Sequence, residues 1–407
     1  MSYSVAMLSV HTSPLDSPGR TKDAGGMNVY MRELAKALSH QNITIDIFTR
    51  WTHENIPQIV PLARNVRVIH IKAGPIAPVH KDDLYQYLPM FTRHIEEFRQ
   101  HASLQYDLVH SHYWLSGVAA MRLADQWDVP HVTMFHTLGR LKQLANPDAP
   151  EPALRLEMEQ HLVQQADCII AATLDERTQI IRSCGATSSQ IEVIPCGVDL
   201  KLFVPQERLQ ARKQLGLKSN LPVLLFAGRL DPFKGPDLLL RAVTLMEQEA
   251  QIVIVGGKLD DDKDMQSLQT LAAELNISQR VHFLGARPQQ ELPLLYSAAD
   301  VTVVPSYHES FGLVAVESLA CGTPVVATRA GGLTSVVRHG ETGFLVPHCP
   351  GFFAERLDTL LSDPELSAQM AAAARPSVLQ FSWASIARQV NTVYEELVNR
   401  THCLVAQ

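Results

Sequence analysis

Short apolar runs rich in β-branched residues alternate with longer helical stretches along almost the whole chain, and no other feature narrows the fold as far. In the first half the strand candidates are Val5–Val10, Ile43–Phe48, Val66–Ile71, Asp107–His110, His131–Phe135, Cys168–Ala172 and Ile191–Pro195. Helical spacing falls between them at Met27–Ser39, Tyr87–Gln100, Leu115–Gln126, Leu154–Gln165 and Asp175–Ser183. Strands that read as near-continuous apolar runs are buried on both faces, as in a parallel sheet covered by helices. The alternation therefore predicts a doubly wound α/β architecture.

The pattern pauses over Asp199–Pro222, which is polar and carries Pro205, and this segment is expected to join two domains. Strands resume at Val223–Ala227, Ile252–Val255, Val281–Leu284, Val301–Pro305, Val325–Ala327 and Gly343–Val346, with helices between them. At 407 residues the chain suffices for two cores. The expected division is 1–202, 203–382 and a C-terminal helix within 383–407 that crosses back to the first domain. Two parallel-sheet domains facing a central cleft would bind ligands beyond the strand C-termini, so the loops after the strands should carry the chemistry.

The formal net charge is -7, which disfavours nucleic acid and anionic membrane as partners. The six cysteines, Cys168, Cys184, Cys196, Cys321, Cys349 and Cys403, have no CxxC spacing and read as reduced thiols. The first residues lack the basic start and long apolar run of a secretion signal, and no stretch reaches the ~18 apolar residues of a membrane span. A cytoplasmic location is expected.

Three glycine-punctuated motifs follow strands. Asp23-Ala-Gly-Gly-Met-Asn-Val-Tyr30 opens a helix, and paired glycines let backbone N–H groups approach an anion. It is not GxGxxG, which disfavours a nicotinamide dinucleotide; a plain strand-to-helix turn fits it equally well. Gly228-Arg-Leu-Asp-Pro-Phe-Lys-Gly235 places Arg229 and Lys234 where two cations suit a diphosphate, one as a fork and one as a point charge. Glu309-Ser-Phe-Gly-Leu-Val-Ala-Val-Glu317 sets a carboxylate in a loop and begins a helix at Gly312 and Leu313, whose free N–H groups can take phosphate oxygens. Glu317 stands about one and a half turns into that helix, where an ionised carboxylate can accept from two ribose hydroxyls. Arg329-Ala-Gly-Gly-Leu-Thr334 is a further glycine loop, read as shaping the same pocket or as a simple turn. His136 follows a strand in the first half, and a lone histidine is more often structural than catalytic. His110 and His112 are read as structural hydrogen-bonding residues, no third metal ligand being evident, and the acidic run Asp260–Asp264 as a solvated loop.

Taken together these motifs resemble glycosyltransferase family 4, retaining enzymes built from two Rossmann-like domains (fold B), and the resemblance covers nearly the whole chain. It implies that Arg229 and Lys234 bind a donor diphosphate, that Glu309 meets the donor sugar and that Glu317 binds the ribose. It implies that Gly25 and Gly26 close over donor phosphates and acceptor, with Met27 and Asn28 beside the acceptor, and that His136 touches the transferred sugar. Ser310, Phe311, Gly312 and Leu313 complete the implied donor site. A phosphorylated sugar or polyol acceptor needs a cationic pocket, for which Lys81 and Arg155 are candidates, with Tyr113 and Thr137 as hydroxyl donors. A solvated-face reading of Lys81 or Arg155 alone is as good.

Two branches of the family are close. His136-Thr-Leu-Gly-Arg-Leu-Lys142 and Lys81-Asp-Asp-Leu-Tyr-Gln-Tyr-Leu88 resemble segments of sucrose-phosphate synthases, where the first motif's lysine, here Lys142, approaches the acceptor phosphate. Gly25-Gly-Met-Asn28 and His110-Ser-His-Tyr-Trp-Leu-Ser-Gly117 resemble the mycothiol-pathway branch, which moves N-acetylglucosamine from its UDP derivative to inositol phosphate. Sucrose enzymes usually carry Gln where this chain has Met27. The expectation favours UDP-glucose and fructose 6-phosphate, with the inositol phosphate reading as the alternative and a UDP-sugar 2-epimerase as a remote one. No cofactor is expected beyond the UDP-sugar itself, an auxiliary magnesium ion stays open, and the oligomeric state is not readable.

Overall fold

The computed structural model describes residues 3–16, 25–145, 150–258 and 263–405. The start of the first glycine motif, Asp23 and Ala24, and residues 260–262 of the acidic run lie outside them. The chain divides into two compact units, one of Met1–Asp16, Gly26–Pro195 and Trp383–Gln407, the other of Ser17–Gly25 and Cys196–Ser382. The division thus falls between Pro195 and Cys196 rather than after residue 202.

The first unit holds strands β1 (Ser4–Ser9), β2 (Thr44–Arg50), β3 (Ile59–Ala63), β4 (Val66–Ile71), β5 (Leu108–His112), β6 (His131–Met134), β7 (Cys168–Ala171) and β8 (Ile191–Val193). Its helices are α1 (Gly26–Ser39), α2 (Leu88–His101), α3 (Trp114–Trp127), α4 (Gly139–Ala145), α5 (Ala153–Gln165) and α6 (Leu174–Cys184). The eight strands run in the order β3-β4-β2-β1-β5-β6-β7-β8. All pairs are parallel except β3 with β4. The apolar-run criterion misses β3 because it is an edge strand with no buried position, and Pro61 within it interrupts the pattern.

The second unit holds α7 (Arg208–Leu215), α8 (Pro236–Val243), α9 (Lys263–Glu274), α10 (Leu292–Ala298), α11 (Leu313–Ala320), α12 (Leu333–Val336), α13 (Pro350–Ser362) and α14 (Pro364–Ala374). Its strands are β9 (Val223–Ala227), β10 (Gln251–Val255), β11 (Val281–Gly285), β12 (Val301–Val304), β13 (Val325–Thr328) and β14 (Gly343–Val346). They form one parallel sheet in the order β11-β10-β9-β12-β13-β14. α7 lies within the polar segment expected to be a connection; its low apolar content hid it.

The last helix, α15 (Trp383–Val405), belongs to the first unit and packs on α1. Ile386, Ala387, Val390 and Tyr394 are fully buried on its inner stripe, facing a matching stripe of Tyr30, Met31, Leu34, Ala35 and Leu38 on α1. Both follow the helical period, which is why the two helices seal one side of the sheet.

Candidate active site

In the second unit, β9 and β12 are neighbours, and the connections leave them in opposite directions across the sheet. That reversal opens a crevice at the strand C-termini. The two motifs singled out from sequence are the loops at this point, and they are joined by a hydrogen bond from Tyr307 N to Phe233 O of 3.0 Å. Lys234 Nζ donates to Glu309 Oε1 at 2.7 Å and Ser306 Oγ to the same oxygen at 2.8 Å. Burial opposes the charge of Glu309, but Lys234 and then Ser306 overcome it and hold the carboxyl below its ordinary range. Arg229 is more open, with Asp231 at 3.4 Å.

Gly312 caps α11 with φ at 99°, a backbone state that favours glycine. A side chain at Gly332 would stand 2.3 Å from Ser310 O, so the second glycine loop packs directly on the Glu309–Ser310 backbone, and Gly332 N donates to Glu309 O at 2.7 Å. Phe311 is buried against Phe381, with ring centroids 5.5 Å apart, which leaves its backbone to meet any ligand. Glu317 is 7% exposed, and accepts from Tyr296 Oη at 2.8 Å and from Gln289 Nε2 at 3.3 Å. Burial raises its carboxyl to about 7 despite these donors.

In the first unit the same reversal occurs between β1 and β5. The loops after β1, β5 and β6 carry His11, Tyr113 and His136. Tyr113 has φ at 74° and His136 at 58°, both left-handed and both non-glycine, a strain concentrated at these strand ends. His112 Nδ1 and His136 Nε2 are 2.9 Å apart, and His110 Nδ1 lies 2.5 Å from Tyr394 Oη on α15. Burial lowers His110 and His136 to about 3 and His112 well below its usual value, so these imidazoles are neutral.

Their tautomers follow from what is left over. The buried Nε2 of His112 has no partner. A stranded N–H costs more than a stranded lone pair, so the proton sits on Nδ1 and donates to His136 Nε2. Tyr30 packs edge-on against His112, His136 and Trp383, with centroids 5.7, 5.1 and 5.6 Å away. Among the described residues, no three His, Cys, Asp or Glu side chains group as a metal site.

Arg155 on α5 lies over the Tyr113 ring, 4.9 Å from its centroid, and Tyr113 in turn packs on His11 at 4.4 Å. The guanidinium donates to Glu159 at 2.7 Å, to Glu151 at 2.6 Å and to the carbonyl of Thr137 at 2.7 Å. Lys142 Nζ donates to the other oxygen of Glu151 at 2.5 Å. Burial opposes the charge of Arg155, but Glu159, Tyr113 and Glu151 hold its pKa above the ordinary value. His11 is lowered to about 3 by burial first and then by the positive charges of Lys81 and Arg155.

Residues 207–376 match the family described as glycosyl transferases group 1, and residues 24–202 match Glycosyltransferase Family 4. D-inositol 3-phosphate glycosyltransferase of Corynebacterium efficiens is 41% identical over 403 residues, 96% of this chain and 95% of that one. The same-named protein of Corynebacterium jeikeium is 42% identical over 98% of both chains. The chain belongs to glycosyltransferase family 4. Sucrose-phosphate synthase from Thermosynechococcus elongatus superposes on this family 4 enzyme with a TM-score of 0.92, at 35% identity, over 98% of this chain and 100% of that one. HepE of Anabaena, solved with UDP-glucose, shares the fold at a TM-score of 0.76, 23% identity and 97% and 100% coverage.

The family 4 chain is thus a sugar-nucleotide-dependent glycosyltransferase with two Rossmann-like domains. Arg229, Lys234, Glu309, Ser310, Gly312, Leu313 and Glu317 stand on the loops after β9 and β12 and on α11. Tyr113 packs on His11 and under Arg155, Arg155 also meets the Thr137 carbonyl and is linked to Lys142 through Glu151, and His136 abuts His112. Asn28 is fully buried, and its amide donates to Thr12 Oγ1 and Ser13 O at 2.6 Å each, so it fastens the loop after β1. Met27 packs on the core of the first unit, and Gly26 is exposed at the first turn of α1, next to Gly25. The sequence reading missed Glu151, Glu159 and His11. His11 follows the first strand in the same way that His136 follows β6, a signal that could have raised it.

Proposed function

We propose that the enzyme transfers a sugar from a UDP-sugar, with retention, to a small polyol phosphate, and that the acceptor is an inositol phosphate and the sugar N-acetylglucosamine. One observation carries the acceptor: near-full-length relatives at 41% and 42% identity bear the name D-inositol 3-phosphate glycosyltransferase. Met27, where sucrose enzymes usually carry Gln, supports it, and the pairing of Lys142 and Arg155 around Glu151 supports a phosphorylated acceptor under either reading. The balance moves here from the glucosyl reading favoured by the sequence alone. Transfer of glucose to fructose 6-phosphate is the second reading, favoured by the likeness to sucrose-phosphate synthase.

The donor's diphosphate lies against Arg229, Lys234 and the start of α11, and Glu317 accepts from its ribose. The departing diphosphate takes the acceptor's proton as the acceptor hydroxyl attacks from the same face, and the two cations stabilise the charge that grows on it. His136, held by His112, contacts the sugar. UDP release is measured from UDP-N-acetylglucosamine and UDP-glucose, each with inositol phosphate and with fructose 6-phosphate. Turnover with the first donor and inositol phosphate is expected. Turnover confined to UDP-glucose and fructose 6-phosphate reverses the assignment, and acceptor-independent conversion of the donor would make the enzyme an epimerase.

A further inference from the structure

Glu151 uses its two oxygens separately, one on Lys142 and one on Arg155, at 2.5 and 2.6 Å. Two oxygens of one anion bridging two cations is how a phosphate would sit between the same groups. Burial works against the charge of Glu151, yet Lys142 and Arg155 hold its carboxyl below the ordinary range, so it is ionised at neutral pH. Its setting differs from that of Glu159, the other carboxylate on Arg155. Glu159 lies within α5, its side chain is 2% exposed, and its second oxygen accepts from Gly139 N, so it is a fixed brace. Glu151 lies outside the helix, just before Pro152, and its side chain has only the two cations for partners in the described structure.

Formal charge distinguishes the two states. Lys142 and Arg155 are balanced by Glu151 and Glu159, so a phosphate arriving with Glu151 in place meets no net charge from these four groups, and with Glu151 withdrawn to water it meets one net positive charge.

We propose that Glu151 is an internal stand-in for the acceptor's phosphate and acts as a specificity residue: the acceptor binds by displacing it, and only an anionic ligand compensates Lys142 and Arg155 for its loss. Neutral polyols and sugars leave the bridge closed. This inference rests on the acceptor cluster of the proposed function but not on which phosphorylated acceptor is used.

The test measures binding of inorganic phosphate to the full chain, with UDP saturating the donor side, by the phosphate dependence of the melting temperature. Glu151→Gln, which keeps the shape and removes the charge, is expected to bind phosphate about tenfold tighter than the wild type, and its KM for the phosphorylated acceptor falls with it. Lys142→Gln is expected to weaken phosphate binding. Should the glutamine variant not fold, Glu151→Ser serves in its place with the same expectation. Unchanged or weaker phosphate binding in the Glu151 variants would overturn the proposal and make Glu151 a fixed brace like Glu159. Tighter phosphate binding with no turnover on either inositol phosphate or fructose 6-phosphate would leave this proposal standing and sink the acceptor assignment instead.

Discussion

Lys234 and Glu309 form an ion pair, Nζ to Oε1 at 2.7 Å, that ties the loop after β9 to the loop after β12. The side chains are 21% and 18% exposed, so the pair is reachable by a ligand and its charges are poorly screened. If the donor binds as proposed, its diphosphate competes with Glu309 for the ammonium, and the energy of that exchange is recovered as negative charge builds on the leaving group. Lys234→Ala is therefore expected to lower kcat by about 100-fold or more while the acceptor KM changes little. Steady-state kinetics in both substrates checks this, and an unaltered kcat would remove Lys234 from the reaction.

The proposed role of Glu317 in donor binding stands against stability. Its carboxyl is raised to about 7 in the folded chain by burial, above the value of 4.5 for an ordinary carboxyl. The stabilisation from its protonated form is fully present below about 4.5 and is lost as pH rises through about 7. At pH 8 the buried charge costs roughly 3 kcal/mol. Glu317→Gln should be more stable than the wild type at pH 8 in urea unfolding, and should lose most of its UDP affinity. A variant that unfolds earlier at pH 8 would contradict the account.

The histidines act in the opposite sense. His110 is fully buried and its pKa is lowered to about 3 from 6.5, so its neutral form stabilises the fold above pH 6.5 and that contribution is lost as pH falls toward 3. At pH 5 the loss from His110 alone is about 2 kcal/mol. A His110→Gln variant should show a flatter stability curve between pH 6.5 and 5, and parallel curves would count against a neutral buried imidazole.

His112→Phe removes the donor to His136 Nε2. The expected cost is about 1–3 kcal/mol of stability, together with a slower turnover because the ring of His136 loses its hold. Restoration of much of the rate in His112→Asn, which keeps a donor, would show that the hydrogen bond is what matters.

Arg155→Met should be among the most damaging changes in the first unit, about 3–5 kcal/mol, because it leaves the buried carboxylate of Glu159 without its cation and Glu151 with Lys142 alone. Denaturant unfolding of Arg155→Met beside Arg155→Met/Glu159→Gln checks the cause: the double variant should recover part of the loss.

Much of the fold was legible because buried parallel strands have to be apolar along their length, and β9, β10 and β12 to β14 announce themselves that way. β3 was not, since an edge strand half in water has no such requirement. The glycine motifs of the second unit were legible for a different reason: glycine is needed where Gly312 turns left-handed and where Gly332 touches the Ser310 carbonyl. Isolated polar residues carry no such mark. Glu151 and Glu159 read as ordinary loop and helix carboxylates, and His110 and His112 as a strand pair whose respective partners, Tyr394 and His136, are decided only in three dimensions.

By itself the sequence determined the two α/β units, the glycine-punctuated loops that follow their strands and the membership of a sugar-nucleotide-dependent family, because periodicity, glycine and charge are local properties. Tertiary structure alone decided the rest. Strand order places β9 beside β12 and β1 beside β5, so motifs distant in the chain become neighbours. Close packing then chose the partners of Arg155 and His136 and shifted the proton affinities of Glu317 and the buried histidines. Both depend on which groups are excluded from water together, and that is a property of the folded chain.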